Sequence, residues 1–171
     1  MKLKLLIVFL AVAFLQTSFA QESASSILDK AYKQAAQENK NVLIIFHASW
    51  CGWCKKMDAN INDASCKAFF DKSYVIEHLV VLESEKNKHL ENPGALDLLR
   101  KHKAEHSGIP FWLFYDSKGN LLANAFNKEG QNIGCPGSKE EVAAFVSILK
   151  KTSHLTDDEL EIISEKFVIK E

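Results

Sequence analysis

Cys51 and Cys54, in the hexapeptide Trp50-Cys51-Gly52-Trp53-Cys54-Lys55, are the residues of this chain best suited to chemistry. Two thiols at this spacing can close a small disulfide ring and reopen it. The pair follows the apolar run Val42-Leu43-Ile44-Ile45-Phe46 and precedes residues that read as a helix. A strand, then Cys-x-x-Cys, then a helix is the redox form of the motif. The thiolate, not the thiol, attacks a disulfide. Free N–H groups and the positive dipole end at a helix start favour an anion there. Lys55 and Lys56 add positive charge nearby. Cys51 is therefore the expected attacking sulfur, with a lowered pKa. Cys54 lies one turn on, on the same side. It is expected to be the less exposed, resolving thiol, which attacks the mixed disulfide, releases the reduced substrate and closes Cys51–Cys54.

Other residues offer weaker chemistry. His102 and His106 have the spacing of a zinc-ligand pair. Their distance from the cysteines is far longer than a compact finger uses, and they also read as polar residues at a helix end, so no metal is expected. Cys66 shares an apolar face with Phe69 and Phe70 and reads as a buried, inert thiol. Cys135 lies in a Gly-rich loop before Pro136, where a free thiol, a bridge to Cys66 and a mixed-disulfide site all stay open. Trp53 is expected to be exposed between the cysteines. With Trp50 and Pro110 it forms either a substrate-contacting rim or a patch packed on the domain itself.

The pattern around these residues predicts the elements that position them. A helix starts at Ser25 or Ser26, with Ile27, Leu28, Ala31, Tyr32 and Ala35 on one face, and stops at Asn39-Lys40-Asn41. Val42–Phe46 is a strand buried on both faces. A helix carries the cysteines to about Asn60, and Asp63 caps a second helical piece. Tyr74–Leu82 is a strand, 83–92 a solvated charged loop, and Pro93-Gly94 opens a helix to about Lys103. Phe111–Tyr115 and Leu121–Phe126 form a hairpin across Asp116-Ser117-Lys118-Gly119-Asn120. Ser138 with Glu141, and Thr156 with Glu159, are capping boxes for two last helices. The order implies an α/β fold: a mixed central sheet, helices on both faces and an extra C-terminal helix.

Composition sets the context. The 171 residues suit one domain, 21–171, behind a leader at 1–20. Lys2 and Lys4, the apolar stretch from Leu5 to Leu15, and the small residues Ser18 and Ala20 before Gln21 read as a cleaved secretory signal peptide. The apolar stretch is shorter than the ~17–25 residues of a spanning helix, so stable membrane insertion is not expected. Removing Lys2 and Lys4 from the 21 basic residues leaves 19 against 22 acidic ones, which gives no reason to expect nucleic acid as a partner. Export would put all four cysteines where disulfides persist. The tail Val168-Ile169-Lys170-Glu171 is not an ER-retention signal, which favours a secreted, periplasmic location.

The strand, Trp50-Cys51-Gly52-x-Cys54-Lys55 and the later Gly108-Ile109-Pro110 before an apolar strand resemble the thioredoxin superfamily, and most of all its exported single-domain members. The resemblance covers roughly Ser25 to Lys151. It implies a thioredoxin fold and a thiol–disulfide oxidoreductase, with Cys51 as nucleophile, Cys54 as resolving thiol and Trp50 as the flanking aromatic. Pro110 would be the cis-proline against the cysteines, and Ile109 would offer backbone hydrogen bonds to an extended substrate. Implied partners are proteins or peptides carrying thiols or disulfides and a redox partner that recycles the pair. No organic cofactor is implied, because the Cys51–Cys54 disulfide holds the electrons. The alternative is a non-catalytic peptide-binding module with a structural disulfide. Two positions depart from the family pattern. Gly52-Trp53 replaces Gly-Pro, and Ile45 stands where thioredoxin has a buried Asp. His47, on the same side of the strand as Ile45, is a candidate to stabilise the Cys51 thiolate or carry a proton to Cys54.

Overall fold

The computed structural model describes residues 21–169, so the expected leader at 1–20 lies outside them. The elements run α1 (Ala24–Glu38), β1 (Asn41–His47), α2 (Gly52–Ile61), α3 (Lys67–Ser73), β2 (Tyr74–Val80), a 3-10 turn (Glu85–Leu90), α4 (Ala95–Lys101), β3 (Phe111–Tyr115), β4 (Leu121–Asn124), α5 (Lys139–Thr152) and α6 (Asp157–Phe167). The sheet order is β2-β1-β3-β4. β1 and β2 are parallel, as a crossover through helices requires. β3 runs antiparallel to β1, and β4 antiparallel to β3. This is the mixed sheet the element order implies.

β1 sits at the centre of the molecule because Val42–Phe46 has no polar side chain to keep in water. Successive side chains point to opposite faces, and all five are fully buried, so helices cover the sheet on both sides. The aromatic core joins the end of the chain to the sheet. The Trp112 ring lies 5.4 Å from Phe145 on α5, which lies 5.2 Å from Phe167 on α6. Phe167 also meets Phe70 on α3. The extra C-terminal helix is thus part of the core.

Local chemistry sets the element ends. The Ser23 hydroxyl accepts the Ser26 N–H and starts α1 slightly earlier than the spacing predicts. Both expected capping boxes are present, at Ser138/Glu141 and Thr156/Glu159. Asp63 does not cap a helix directly. Its carboxylate closes a turn onto the Ser65 N–H, and α3 begins four residues later. β2 stops at Val80 and α4 at Lys101, each short of its expected end. Just beyond them, Leu82 (φ 57°) and Lys103 (φ 58°) take the left-handed conformation that neither a strand nor a helix can continue. β4 also ends early, at Asn124, and Phe126 makes only an isolated bridge to Asn132.

The 83–92 segment is largely solvated between its ends, as expected, but its two end residues are not. It contains the 3-10 turn and is anchored at both ends by buried polar side chains, Glu83 and Asn92. Asn92 accepts the Val80 N–H at 2.7 Å and donates to the Glu22 carbonyl at 2.8 Å. These side chains were not expected in the interior because their partners lie far away in the sequence.

Candidate active site

β1 delivers the chain to the edge of the core at His47, and Ala48-Ser49-Trp50 turns it into α2. The Cys51 N–H donates to the Ala48 carbonyl at 3.1 Å, closing that turn. Cys51 is the N-cap of α2, and its sulfur accepts the Cys54 N–H at 3.1 Å. Sulfur here occupies the place a Ser or Asp oxygen takes at other helix starts. Cys51 and Cys54 form a disulfide with Cα atoms 5.3 Å apart. Lys55 and Lys56 follow on the exposed side of the helix, and the Lys55 N–H donates to the Cys51 carbonyl.

The Gly108-Ile109-Pro110 segment lies against this pair. The Ile109–Pro110 bond is cis, and the Ile109 carbonyl is 3.6 Å from the Cys51 sulfur. In the disulfide that sulfur carries no proton. After reduction the same carbonyl is an acceptor for its thiol. The Ile109 N–H has no partner among the described residues. Ala48 and Ile109 pack on the two cysteines as a small apolar cluster beside the main core.

Exposure corrects one expectation. Cys51 is 3% exposed and Cys54 1%, so the anticipated contrast between an open attacking sulfur and a covered resolving one is slight. Ala48 and Ile109 cover both. Trp50 and Trp53, at 59% and 56% exposed, are the apolar side chains left open around the pair. The Trp50 indole N–H donates to the Leu82 carbonyl at 2.9 Å.

Glu83 braces the turn before Cys51. Its carboxylate accepts both the N–H and the hydroxyl of Ser49. The Ser49 N–H, more than any other neighbour, holds the Glu83 carboxyl below the usual range. Glu91 in turn accepts the Glu83 N–H at 2.7 Å. Asn132, in the loop after β4, reaches the cis-proline segment from the other side. Leu82, Glu83 and Asn132 had no signal in the sequence beyond ordinary polar and apolar identity.

His47 makes no recorded contact with either cysteine sulfur. Its ring meets that of His78 edge-on at 5.2 Å, and His78 Nε2 is 2.7 Å from Asp58 Oδ1 on α2. Asp58 lies one turn beyond Cys54, so a polar chain runs from the end of β1 across β2 to the cysteine helix. Burial, then the neighbouring His78, lowers the His47 pKa.

The remaining candidates separate from the site. Cys66 is buried and Cys135 half-buried, and both are free, so they form no bridge. Burial pushes the Cys135 thiol up to about 11 and raises that of Cys66 as well. His102 Nε2 pairs with the Tyr115 hydroxyl at 2.8 Å. Among the described residues no cluster of three or more His, Cys, Asp or Glu side chains is arranged to hold a metal.

Residues 23–117 match the family model described as thioredoxin-like. Over 52 residues, 29% of this chain, the sequence is 38% identical to protein disulfide-isomerase A5 of Mus musculus and, to the same degree, of Bos taurus. That match spans only 10% of those longer proteins. Similar solved structures include a disulphide isomerase from Xylella fastidiosa Temecula1, with a TM-score of 0.49 and 19% identity over 64% of this chain and 75% of that one. Another is the oxidised C-terminal domain of DsbD from Neisseria meningitidis, with a TM-score of 0.41 and 23% identity over 61% of this chain and 84% of that one. The family model spans more than half of the chain, and the chain belongs to the thioredoxin-like family.

Proposed function

We propose that this thioredoxin-like protein is a thiol–disulfide oxidoreductase acting on proteins or peptides. The observation that carries the reading is the Cys51 sulfur at the N-cap of α2, accepting the Cys54 N–H beside the unpaired N–H of Ile109. The Cys54 N–H and the positive helix end favour the thiolate over the thiol. In the reducing direction the Cys51 thiolate attacks a substrate disulfide, forming a mixed disulfide and expelling one substrate thiolate. The Cys54 thiolate then attacks the Cys51 sulfur and expels the second. The substrate gains two electrons, and the protein is left with the Cys51–Cys54 disulfide. A dithiol partner must restore the reduced pair; in the oxidising direction every step reverses. Trp50, Trp53, Ile109 and Pro110 form the substrate rim, and the open N–H and carbonyl of Ile109 suit pairing with an extended peptide.

In the same reading residues 1–20 are a leader and the protein works in the cell envelope, where such a couple can cycle. No helix among the described residues is long and apolar enough to cross a membrane. His47 acts, in this reading, through the His78–Asp58 chain as a tuner of proton transfer near Cys54.

The near-complete burial of both cysteines favours a second reading, a peptide-binding module with a structural disulfide. One experiment separates the two. Reduced Cys54→Ser protein is mixed with a disulfide-bonded peptide, and wild type is titrated with dithiothreitol. Exchange predicts a mixed disulfide on Cys51 by mass and a bond that reopens reversibly. No adduct, together with a bond resistant to mild dithiol, overturns the oxidoreductase.

A further inference from the structure

The side-chain amide of Asn132 faces three backbone carbonyls of one segment. Its Nδ2 lies 3.1 Å from the Ser107 carbonyl, 3.2 Å from that of Gly108 and 3.0 Å from that of Pro110. Its Oδ1 accepts the Gly134 N–H at 2.9 Å, which fixes the way the amide points. Ser107, Gly108 and Pro110 bracket Ile109, whose carbonyl faces the Cys51 sulfur and whose N–H is open.

Other contacts press the same two segments together. The Trp112 indole N–H donates to the Gly134 carbonyl at 2.9 Å from inside the core. Gly134, at φ 62°, lies beside Pro110, where a Cβ would sit in ordinary contact with the Pro110 oxygen at 3.6 Å. On its outer side the loop borders a groove of about 570 Å³ shared with α5, so packing does not press it onto the proline segment from there. An amide with two donors, shared among three carbonyls, is the side-chain polar contact from this loop to Ser107, Gly108 and Pro110.

We propose that Asn132 is the positioning residue of the substrate-binding edge, holding the Ile109 backbone at the depth where an extended peptide can pair with it. Asn132 touches neither sulfur in this arrangement; it acts through Ser107, Gly108 and Pro110. The inference rests on the oxidoreductase reading. It assigns to the loop after β4 the control of peptide affinity, separately from the chemistry of the cysteines.

The test compares wild type, Asn132→Ala and Asn132→Asp in two assays: turnover of a disulfide-bonded peptide, and reduction of the Cys51–Cys54 bond by dithiothreitol, which needs no backbone pairing. Asn132→Asp keeps the acceptor for Gly134 and loses the donors, so it carries the test should the alanine variant not fold. The expected result is a peptide KM raised about tenfold, the scale of one or two lost hydrogen bonds, with kcat unchanged and a dithiothreitol rate equal to wild type or higher, since Ile109 also covers the cysteines. A peptide KM equal to wild type overturns the assignment. So does a parallel fall in both assays, or the failure of both variants to fold, because either means that Asn132 only supports the fold. A wild-type protein that turns over no peptide overturns the oxidoreductase reading itself, an outcome recognisable before any variant is made.

Discussion

The indole N–H of Trp50 donates to the Leu82 carbonyl at 2.9 Å, so a side chain left 59% exposed is held in one orientation beside Cys51. The contact joins the cysteine turn to the chain leaving β2. Exposed tryptophans are costly to leave in water without a use, and fixing one in advance lowers the ordering cost of binding a partner.

Trp50→Phe keeps an aromatic ring and loses the donor. A neutral hydrogen bond contributes about 0.5–1.5 kcal/mol, so kcat/KM for a protein disulfide should fall roughly two- to tenfold. The rate with dithiothreitol should stay within twofold. Steady-state kinetics on both substrates check this, and an unchanged kcat/KM for protein substrate removes the role.

Thiol reactivity should be selective. In the reduced protein at neutral pH, iodoacetamide is expected to label Cys51 first, because the helix start favours its thiolate. Cys66 and Cys135 should label far more slowly, since burial keeps both protonated and Cys135 titrates at about 11. Peptide mapping of timed alkylation reads the order. Cys135 labelled ahead of Cys51 contradicts it.

Acidification should weaken the fold below neutral pH. Burial, then His78, lowers the His47 pKa, while burial, then Lys101, lowers that of His102. The folded protein then binds these protons less readily than the unfolded chain does. Their contribution is complete above the ordinary histidine value, near 6.5, and is lost as pH falls from there through the lowered values. The half-buried Glu77 carboxyl, raised by desolvation, acts in the opposite sense above its ordinary range. Glu83 and Asp116, both lowered, lose their contributions only in more acidic solution. The melting temperature should therefore drop between pH 7.5 and 5.5, and His47→Gln should flatten the drop. An identical slope in the variant rejects His47 as a source.

The C-terminal helix should prove integral to stability. Phe167 is buried between Phe145 and Phe70, and Phe167→Ala should cost about 3–5 kcal/mol, the usual range for emptying such a site. Denaturant unfolding measures it. A loss under about 1 kcal/mol would mean that the core closes without α6.

Much of this fold is legible in the sequence. The five-residue apolar run could only be a buried strand, the Cys-x-x-Cys pair follows it at once, and two capping boxes marked the last helices. These features are local, with the physical cause and its effect a few residues apart. What escaped is non-local. Glu83 reads as part of a charged surface stretch, and its burial depends on Ser49, 34 positions away. Asn132 reads as loop, and its three carbonyls lie 22 to 25 positions back. Leu82 and Lys103 shortened their elements through a backbone conformation that their side chains do not favour. The Cys51–Cys54 pairing is legible in the motif while the burial of both sulfurs is not, because Ile109, which helps cover them, arrives from a distant part of the chain.

The Ile169 N–H donates to the Gly137 carbonyl at 3.0 Å, and a Cβ on Gly137 would strike the Ile169 side chain at 2.8 Å. Gly137 ends the same loop that carries Asn132 and Gly134. A purification handle or fusion partner attached behind Ile169 would therefore tug on a latch whose far end is the proposed peptide-binding edge.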